Sequence, residues 1–318
     1  IVVAVLGFGI YALIIQQIFT VLLTTILMAW LTKWRPRLKF ESSSAKELLP
    51  LGIQFTSANL INSIYTEGRS LVIGKFYSSA DLAFFNRGNQ FPALIVGNLN
   101  TPISNVMLPL MAEKKDSQIA LKSVLRKSIQ LSAYLVFPMM GILAACARPL
   151  VLVLLGQKWV ECVPYLQVAC LFYLFQPLQS MNWQALKAAG QGTLCFKLEV
   201  IKKAISFIVL ILSIPFGVFA ISLSSAFCGF VSMLINMTPN KKVLGYGIFE
   251  QLIDVLKPSI ATLISVIVAL FLARIPNGNL ISLLVASLGS VGCYILLSKL
   301  MNIEGFNLLV DKLPLRRD

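Results

Sequence analysis

Long apolar runs separated by short polar gaps set the pattern of this chain. A bilayer hydrocarbon core about 30 Å thick takes about 20 apolar residues of helix to cross. Backbone polar groups in lipid must be satisfied within their own segment, so each run is expected to be α-helical. Nine spans follow. The first five are Ile10–Leu31, after a Gly7-Phe8-Gly9 break, then Leu48–Ile73, Phe84–Ala112, Ile129–Leu155 and Val163–Leu186. Ala204–Asn240 is too long for one helix and is divided in two at Pro215-Phe216-Gly217. Pro258–Ala273 and Leu280–Ser298 complete the set. Ile1–Leu6 reads as the stub of an earlier helix. The chain opens on Ile1 rather than Met, without the basic n-region or cleavage motif of a signal peptide, so it is expected to lack its beginning.

Composition supports the membrane reading. The 318 residues are 57% hydrophobic and 13% charged, with a mean hydropathy of +0.82. A soluble fold of this size could not hide that much apolar surface. Lys and Arg number 27 against 13 Asp and Glu, a net charge of +14. Because the basic residues sit in the gaps, membrane topology explains them better than nucleic acid, and no nucleic-acid partner is expected. Let the gap after the first span be cytoplasmic. The cytoplasmic gaps then hold twenty-one basic residues, among them Lys33 to Lys46, Lys114 to Lys127, Lys187, Lys197, Lys202, Lys203, Lys241, Lys242 and Lys257. The other side receives six: Arg69, Lys75, Arg87, Arg148, Lys158 and Arg274. The positive-inside rule therefore places the C-terminus in the cytoplasm.

The chain has no His, which removes imidazole bases, His metal sites and Ser-His triads together. Its six Cys form no CxxC pair and are expected to be small buried hydrophobes. There is no GxxxxGK[ST] loop, no metal-ligand spacing and no pair of carboxylates on a polar loop. Catalytic residues, metals and cofactors are accordingly not expected, and the short outer gaps argue against an enzyme.

Two spans carry polar stripes. Thr56, Asn59, Asn62, Ser63, Thr66, Arg69 and Ser70 recur at steps of three and four, which places them on one helical face. Arg87, Gln90, Asn98, Thr101 and Asn105 do the same in the next span. Such faces are costly against lipid, so they are expected to line a wet cavity or to hydrogen-bond between helices. Glu67 and Arg69, two residues apart, point in different directions and cannot pair along the helix. Arg69 and Arg87 suit a phosphate or carboxylate, or alternatively snorkel to headgroups. Gln176, Gln179, Ser180 and Asn182 surround Pro177, where a freed carbonyl needs a polar partner; the site is a gating kink or a structural bend.

The chain resembles the oligosaccharide flippases of the MOP superfamily, the Wzx-type polysaccharide-transport branch. The likeness covers roughly residues 1–240 and is carried by ordered segments. They are Gly7-Phe8-Gly9-Ile10-Tyr11 with Gln16-Gln17, and the basic loop Lys33-Trp34-Arg35-Pro36-Arg37-Leu38-Lys39-Phe40. Leu71-Val72-Ile73-Gly74-Lys75-Phe76-Tyr77 follows, with Asp81-Leu82-Ala83-Phe84-Phe85-Asn86-Arg87. The last is Leu154-Leu155-Gly156-Gln157-Lys158-Trp159, with Val163-Pro164-Tyr165 and Ala188-Ala189-Gly190-Gln191-Gly192.

The resemblance implies an all-α, polytopic transmembrane bundle with a MATE-like second lobe and an extra C-terminal helix pair. On that layout residues 1–31 end a first lobe and 32–47 form a basic cytoplasmic linker. Residues 48–240 make a six-helix second lobe, 241–300 the extra pair and 301–318 a cytoplasmic tail. The implied activity is flipping of undecaprenyl-diphosphate-linked oligosaccharide across a bacterial inner membrane, for O-antigen, capsule or exopolysaccharide. The implied partners are the lipid-linked oligosaccharide, membrane lipids, and polymerase and assembly proteins of the pathway. Substrate contacts are expected from Arg69, Arg87, Asn59, Asn62, Thr66, Gln90, Asn98, Asn105, Gln176 and Gln179. A multidrug antiporter of the same superfamily and a membrane-embedded polymerase are the alternatives.

Overall fold

The computed structural model describes residues 11–31, 49, 67–273 and 279–310. Asn59, Asn62, Thr66 and the linker at 32–47 lie outside the described residues. The chain divides into two compact units, Ile1–Asn62 and Ser63–Asp318. In the first, α1 (Tyr11–Leu31) contains no Gly, Pro or charge. Thr20, Thr24 and Thr25 return their hydroxyls to carbonyls one turn back, at 2.7–2.8 Å, which hides their polarity from an apolar solvent.

The second unit begins with α2, helical over residues 67–76. It continues with α3 (Ser79–Glu113), α4 (Gln118–Ala145), α5 (Ala147–Leu154), a 3-10 turn (Gln157–Cys162), α6 (Val163–Leu174) and α7 (Gln176–Ala188). α8 (Gly192–Ser213) leads through a 3-10 turn (Ile214–Phe216) into α9 (Val218–Met237) and α10 (Asn240–Leu244). α11 (Ile248–Ala273), α12 (Asn279–Leu300) and α13 (Glu304–Val310) follow. No strand occurs among the described residues. The all-α bundle expected from the sequence is therefore the fold.

Local chemistry sets the helix boundaries. Ser78 and Asp81 form a capping box that starts α3, and Ser117 caps α4. Pro215 and Gly217 end α8, with Gly217 at φ 93°, a conformation that costs glycine little. The Tyr77 hydroxyl closes this corner: it donates to the Ile214 carbonyl and accepts from the Gly217 N–H at 3.2 Å. The span Val163–Leu186 is broken at Phe175, because Pro177 has no N–H to return to the preceding turn. The span Ile129–Leu155 is likewise divided, at Cys146.

Four helices start several residues before the apolar runs that announced them: α3 at Ser79, α4 at Gln118, α8 at Gly192 and α11 at Ile248. Their N-terminal halves carry charges, such as Lys122 and Arg126 in α4, Lys202 in α8 and Glu250 in α11, which is why hydropathy truncated them. Those charges are matched within the protein. Lys122 pairs with Glu250 at 2.8 Å, Arg126 with Asp254 at 2.5 Å and Lys202 with Glu199 at 2.7 Å.

α4 is the centre of the unit and packs against α3, α6, α7, α11 and α13. α3 crosses α6 at Gly88, where an added Cβ would lie 2.8 Å from the Leu166 backbone nitrogen. Asn182, Asn240 and Gln251, all fully buried, join α7, α10 and α11. Asn182 donates to Gln251 Oε1 at 2.7 Å and Asn240 donates to Asn182 Oδ1 at 2.6 Å. Tyr246, in the loop before α11, donates to Asp254 at 2.6 Å. Burial, reinforced by that carboxylate, pushes its phenol above the usual range. Five of the six Cys are buried and all six are free thiols.

Large apolar side chains such as Phe196, Phe207, Leu212, Phe227, Leu263, Phe271, Leu288 and Leu296 face outward along the helices. Lipid is the solvent that suits such a belt. By length and apolarity α1, α4, the α9–α10 segment, α11 and α12 are able to cross a membrane. The chain is a polytopic membrane protein. The turns gather at two ends. Gln118 and Lys122 donate to carbonyls of Val243 and Gly245, and Lys257 to that of Met301, so Lys114, Lys115, Lys122, Arg126, Lys241, Lys242 and Lys257 share one end. The Tyr77 corner lies at the other.

Candidate functional site

A polar cavity of about 570 Å³ opens inside the second unit, walled by α2, α3, the α6–α7 break, α8 and α9. Glu199, Lys202 and Ser206 come from the middle of α8, and Ser225, Gly229 and Ser232 from the middle of α9. The cavity therefore sits about halfway between the two ends of the bundle. Its lining mixes two cations, Arg69 and Lys202, with two carboxylates, Glu67 and Glu199, and with Asn86, Asn89, Gln176 and Gln179.

Arg69 stands where α2 passes α8. Its Nη2 donates to Ser206 Oγ at 3.1 Å, while its Nε is buried without a hydrogen-bond partner. A buried guanidinium donor without a partner is costly, and a ligand oxygen would satisfy it. Lys202 is one helical turn below Ser206, about 6 Å along the axis. Its side chain is 9% exposed, and its Nζ lies 2.7 Å from Glu199 Oε1 and 4.6 Å from the Trp183 ring centroid. Desolvation of a lysine is tolerated only with such partners.

The α6–α7 break shapes the opposite wall. Phe175 interrupts the helix, and Gln176 and Gln179 turn toward the cavity. Gln179 Nε2 donates to the Gly229 carbonyl at 2.9 Å, and its own carbonyl accepts from Asn236 at 3.2 Å. An added Cβ on Gly229 would meet the Phe172 ring at 2.8 Å, so a larger residue would crowd this wall.

Of the residues singled out in the sequence, Arg69, Gln176 and Gln179 come together in the cavity. The α3 stripe does not join them. Gly88, Phe85, Pro92 and Val96 are the buried face of α3, Asn86 and Asn89 turn to the cavity, and the stripe lies on a third side. Gln90, Asn98, Thr101 and Asn105 are exposed there. Arg87 donates to Gln90 Oε1 at 2.7 Å and its guanidinium stands 5.0 Å from the Trp159 ring centroid.

Sequence reasoning missed Lys202, Glu199, Ser206, Asn86 and Asn89. The first two fell in what was read as a gap, since α8 was expected to start at Ala204. The Glu199, Lys202, Ser206 spacing of three and four, once extended upstream of Ala204, was the available signal.

Comparison with known proteins adds to this geometry. Residues 1–164 match a family described as polysaccharide biosynthesis protein. The teichuronic acid biosynthesis protein TuaB of Bacillus subtilis (strain 168) is 24% identical over 164 residues, 52% of this chain and 34% of TuaB. The succinoglycan biosynthesis transport protein ExoT of Rhizobium meliloti (strain 1021) is 25% identical over 193 residues, 61% of this chain and 39% of ExoT. The lipopolysaccharide biosynthesis protein WzxC of Escherichia coli (strain K12) is 24% identical over 169 residues, 53% of this chain and 34% of WzxC. The chain thus spans between 34% and 39% of the length of these relatives. Among solved structures, lipid II flippase MurJ in its inward closed conformation is similar with a TM-score of 0.68 at 14% sequence identity. That similarity covers 85% of this chain and 57% of MurJ and places the two in one fold.

Proposed function

The chain belongs to the polysaccharide biosynthesis protein family, and from that footing we propose that it is the larger part of a flippase for lipid-linked oligosaccharides in a bacterial inner membrane. The observation that carries the reading is the cavity at mid-depth, where Arg69, bonded to Ser206, and Lys202, one turn of α8 from Ser206, stand among amides and hydroxyls. Two cations lining one cavity suit the two phosphates of a diphosphate, and Arg69 offers an unpartnered Nε–H. Gln176, Gln179, Asn86 and Asn89 supply the paired donors and acceptors that sugar hydroxyls require. The lipid tail stays in the membrane against the apolar belt. No bond is made or broken, so the residues act by binding and release, and alternating exposure of the site completes the transfer.

The α3 stripe has a place in this reading. Polar side chains exposed on a membrane helix seek water or protein. Gln90, Asn98 and Asn105, with Arg87, are proposed to border the substrate's path, as are Asn59, Asn62 and Thr66. The layout of a second lobe at 48–240 with an added helix pair at 241–300 belongs to the same proposal. So do a cytoplasmic basic end and C-terminus, and partnership with a polymerase and assembly proteins.

A cation-exporting antiporter would draw on the cavity carboxylates instead. Of these, Glu199 is already neutralised by Lys202, and Glu67 shares the cavity with Arg69. The test is reconstitution of the full-length protein in proteoliposomes with a fluorescent isoprenyl-diphosphate-linked sugar. The flippase reading expects the label to reach the opposite leaflet, and Arg69→Ala to slow that transfer. Transfer unchanged from protein-free vesicles contradicts it.

A further inference from the structure

Glu199 and Lys202 are paired, but their surroundings differ. Lys202 is nearly enclosed, its side chain 9% exposed and its ammonium set over the Trp183 indole. Trp183 also carries Lys187 at 5.5 Å from its ring centroid. The ammonium of Lys202 therefore has a fixed seat besides its carboxylate. Glu199 has a side chain 37% exposed and lines the cavity. It has room to leave, and water in the cavity would solvate it when it does. Lys202 has no such freedom, and a buried ammonium that loses its counter-ion needs another anion at once.

We propose that Glu199 is an internal counter-ion that holds Lys202 when the cavity is empty and that an incoming phosphate group displaces. This rests on the reading of the cavity as a site for a phosphate-bearing head. The carboxylate competes with the ligand: it pairs with the Lys202 side chain in the empty state and weakens binding enough for release. A site built for turnover gains from such a competitor, because binding that is too tight slows the release step. Gln at position 199 keeps an oxygen to accept from Lys202 Nζ but loses the charge that opposes phosphate.

The test uses the full-length protein in lipid nanodiscs, with farnesyl diphosphate and inorganic pyrophosphate as calorimetric probes. Glu199→Gln is expected to bind farnesyl diphosphate about tenfold more tightly than the natural protein, the scale of one charge-assisted hydrogen bond. Lys202→Gln is expected to bind about tenfold more weakly. The double variant is expected to bind no more tightly than Lys202→Gln, and Glu199→Ala to repeat the gain of Glu199→Gln. A gain with farnesyl diphosphate alone identifies a lipid headgroup as the displacing group; an equal gain with pyrophosphate identifies the phosphate itself. Binding unchanged or weakened in Glu199→Gln, or a gain that survives in the double variant, overturns the counter-ion role while leaving the flippase reading intact. A natural protein that binds neither probe overturns both.

Discussion

The Nη2 of Arg69 in α2 reaches the hydroxyl of Ser206 in α8 at 3.1 Å, across 137 residues of sequence. That contact ties the wall formed by α2 to the wall formed by α8 and fixes the guanidinium at mid-depth. Arg69→Ala removes both the tie and a cation of the cavity, whereas Ser206→Ala removes only the tie. In the full-length protein, Arg69→Ala is expected to lower transport by roughly ten- to a hundredfold, the range of one or two lost charge-assisted hydrogen bonds. Ser206→Ala is expected to lower it less than tenfold. Initial rates in proteoliposomes check the order of the two.

Gly88 lets α3 and α6 approach. A Cβ there would stand 2.7 Å from the Tyr165 Cβ and 2.8 Å from the Leu166 nitrogen, and backbone cannot swing aside as a side-chain tip can. Gly88→Ala should destabilise by about 1–3 kcal/mol. Gly97 lies on the same helix with nothing within 4 Å of an added Cβ. Gly97→Ala should be neutral or stabilise by up to about 1 kcal/mol through helix propensity. Thermal unfolding in detergent, followed for both variants, separates close packing from a general intolerance of substitution.

The buried amides of Asn182, Asn240 and Gln251 hold α7, α10 and α11 together. Asn182→Ala strands the Gln251 oxygen, at a cost of about 1–3 kcal/mol, and removes the shortest contact of the Asn240 amide, which keeps the carbonyls of residues 182 and 236. Loss of protection in residues 240–251 by hydrogen exchange is the expected result. Asn98→Ala, at an exposed position of α3, serves as the comparison and is expected to leave that protection unchanged.

Arg126 and Lys122 both reach from α4 to the start of α11, with different consequences. The Asp254 side chain that Arg126 holds is 6% exposed and also accepts from Tyr246. The Glu250 side chain that Lys122 holds is 54% exposed. Arg126→Met leaves a largely enclosed carboxylate with less compensation, while water repays Glu250 when Lys122 is lost. The melting temperature is expected to fall measurably in Arg126→Met and to change little in Lys122→Met.

Much of the architecture could be read from the apolar runs, because lipid forces each of them to be a helix. The break at Pro215-Phe216-Gly217 was legible for the same local reason that it exists. The early starts of α4, α8 and α11 were not, since hydropathy treats Lys202 or Arg126 as the end of a span. Those residues are tolerated there by partners that are invisible in a window, one turn away in Glu199 or 128 residues away in Asp254. The cavity was half legible. Period alone grouped Arg87, Gln90, Asn98 and Asn105, but the direction of that face depends on where Gly88 meets α6. That contact turns Asn86 and Asn89, rather than Arg87, toward Arg69 and Lys202.

The most direct measurement is the leaflet on which lipid-linked oligosaccharide accumulates in a strain lacking the gene, complemented with the full-length protein or with its Arg69→Ala and Lys202→Gln variants at equal abundance. Units that reach the outer leaflet with the natural protein, and remain on the cytoplasmic leaflet with both variants, are the predicted result. Units that reach the outer leaflet equally well with all three proteins would contradict a cavity that carries the phosphate-bearing head across.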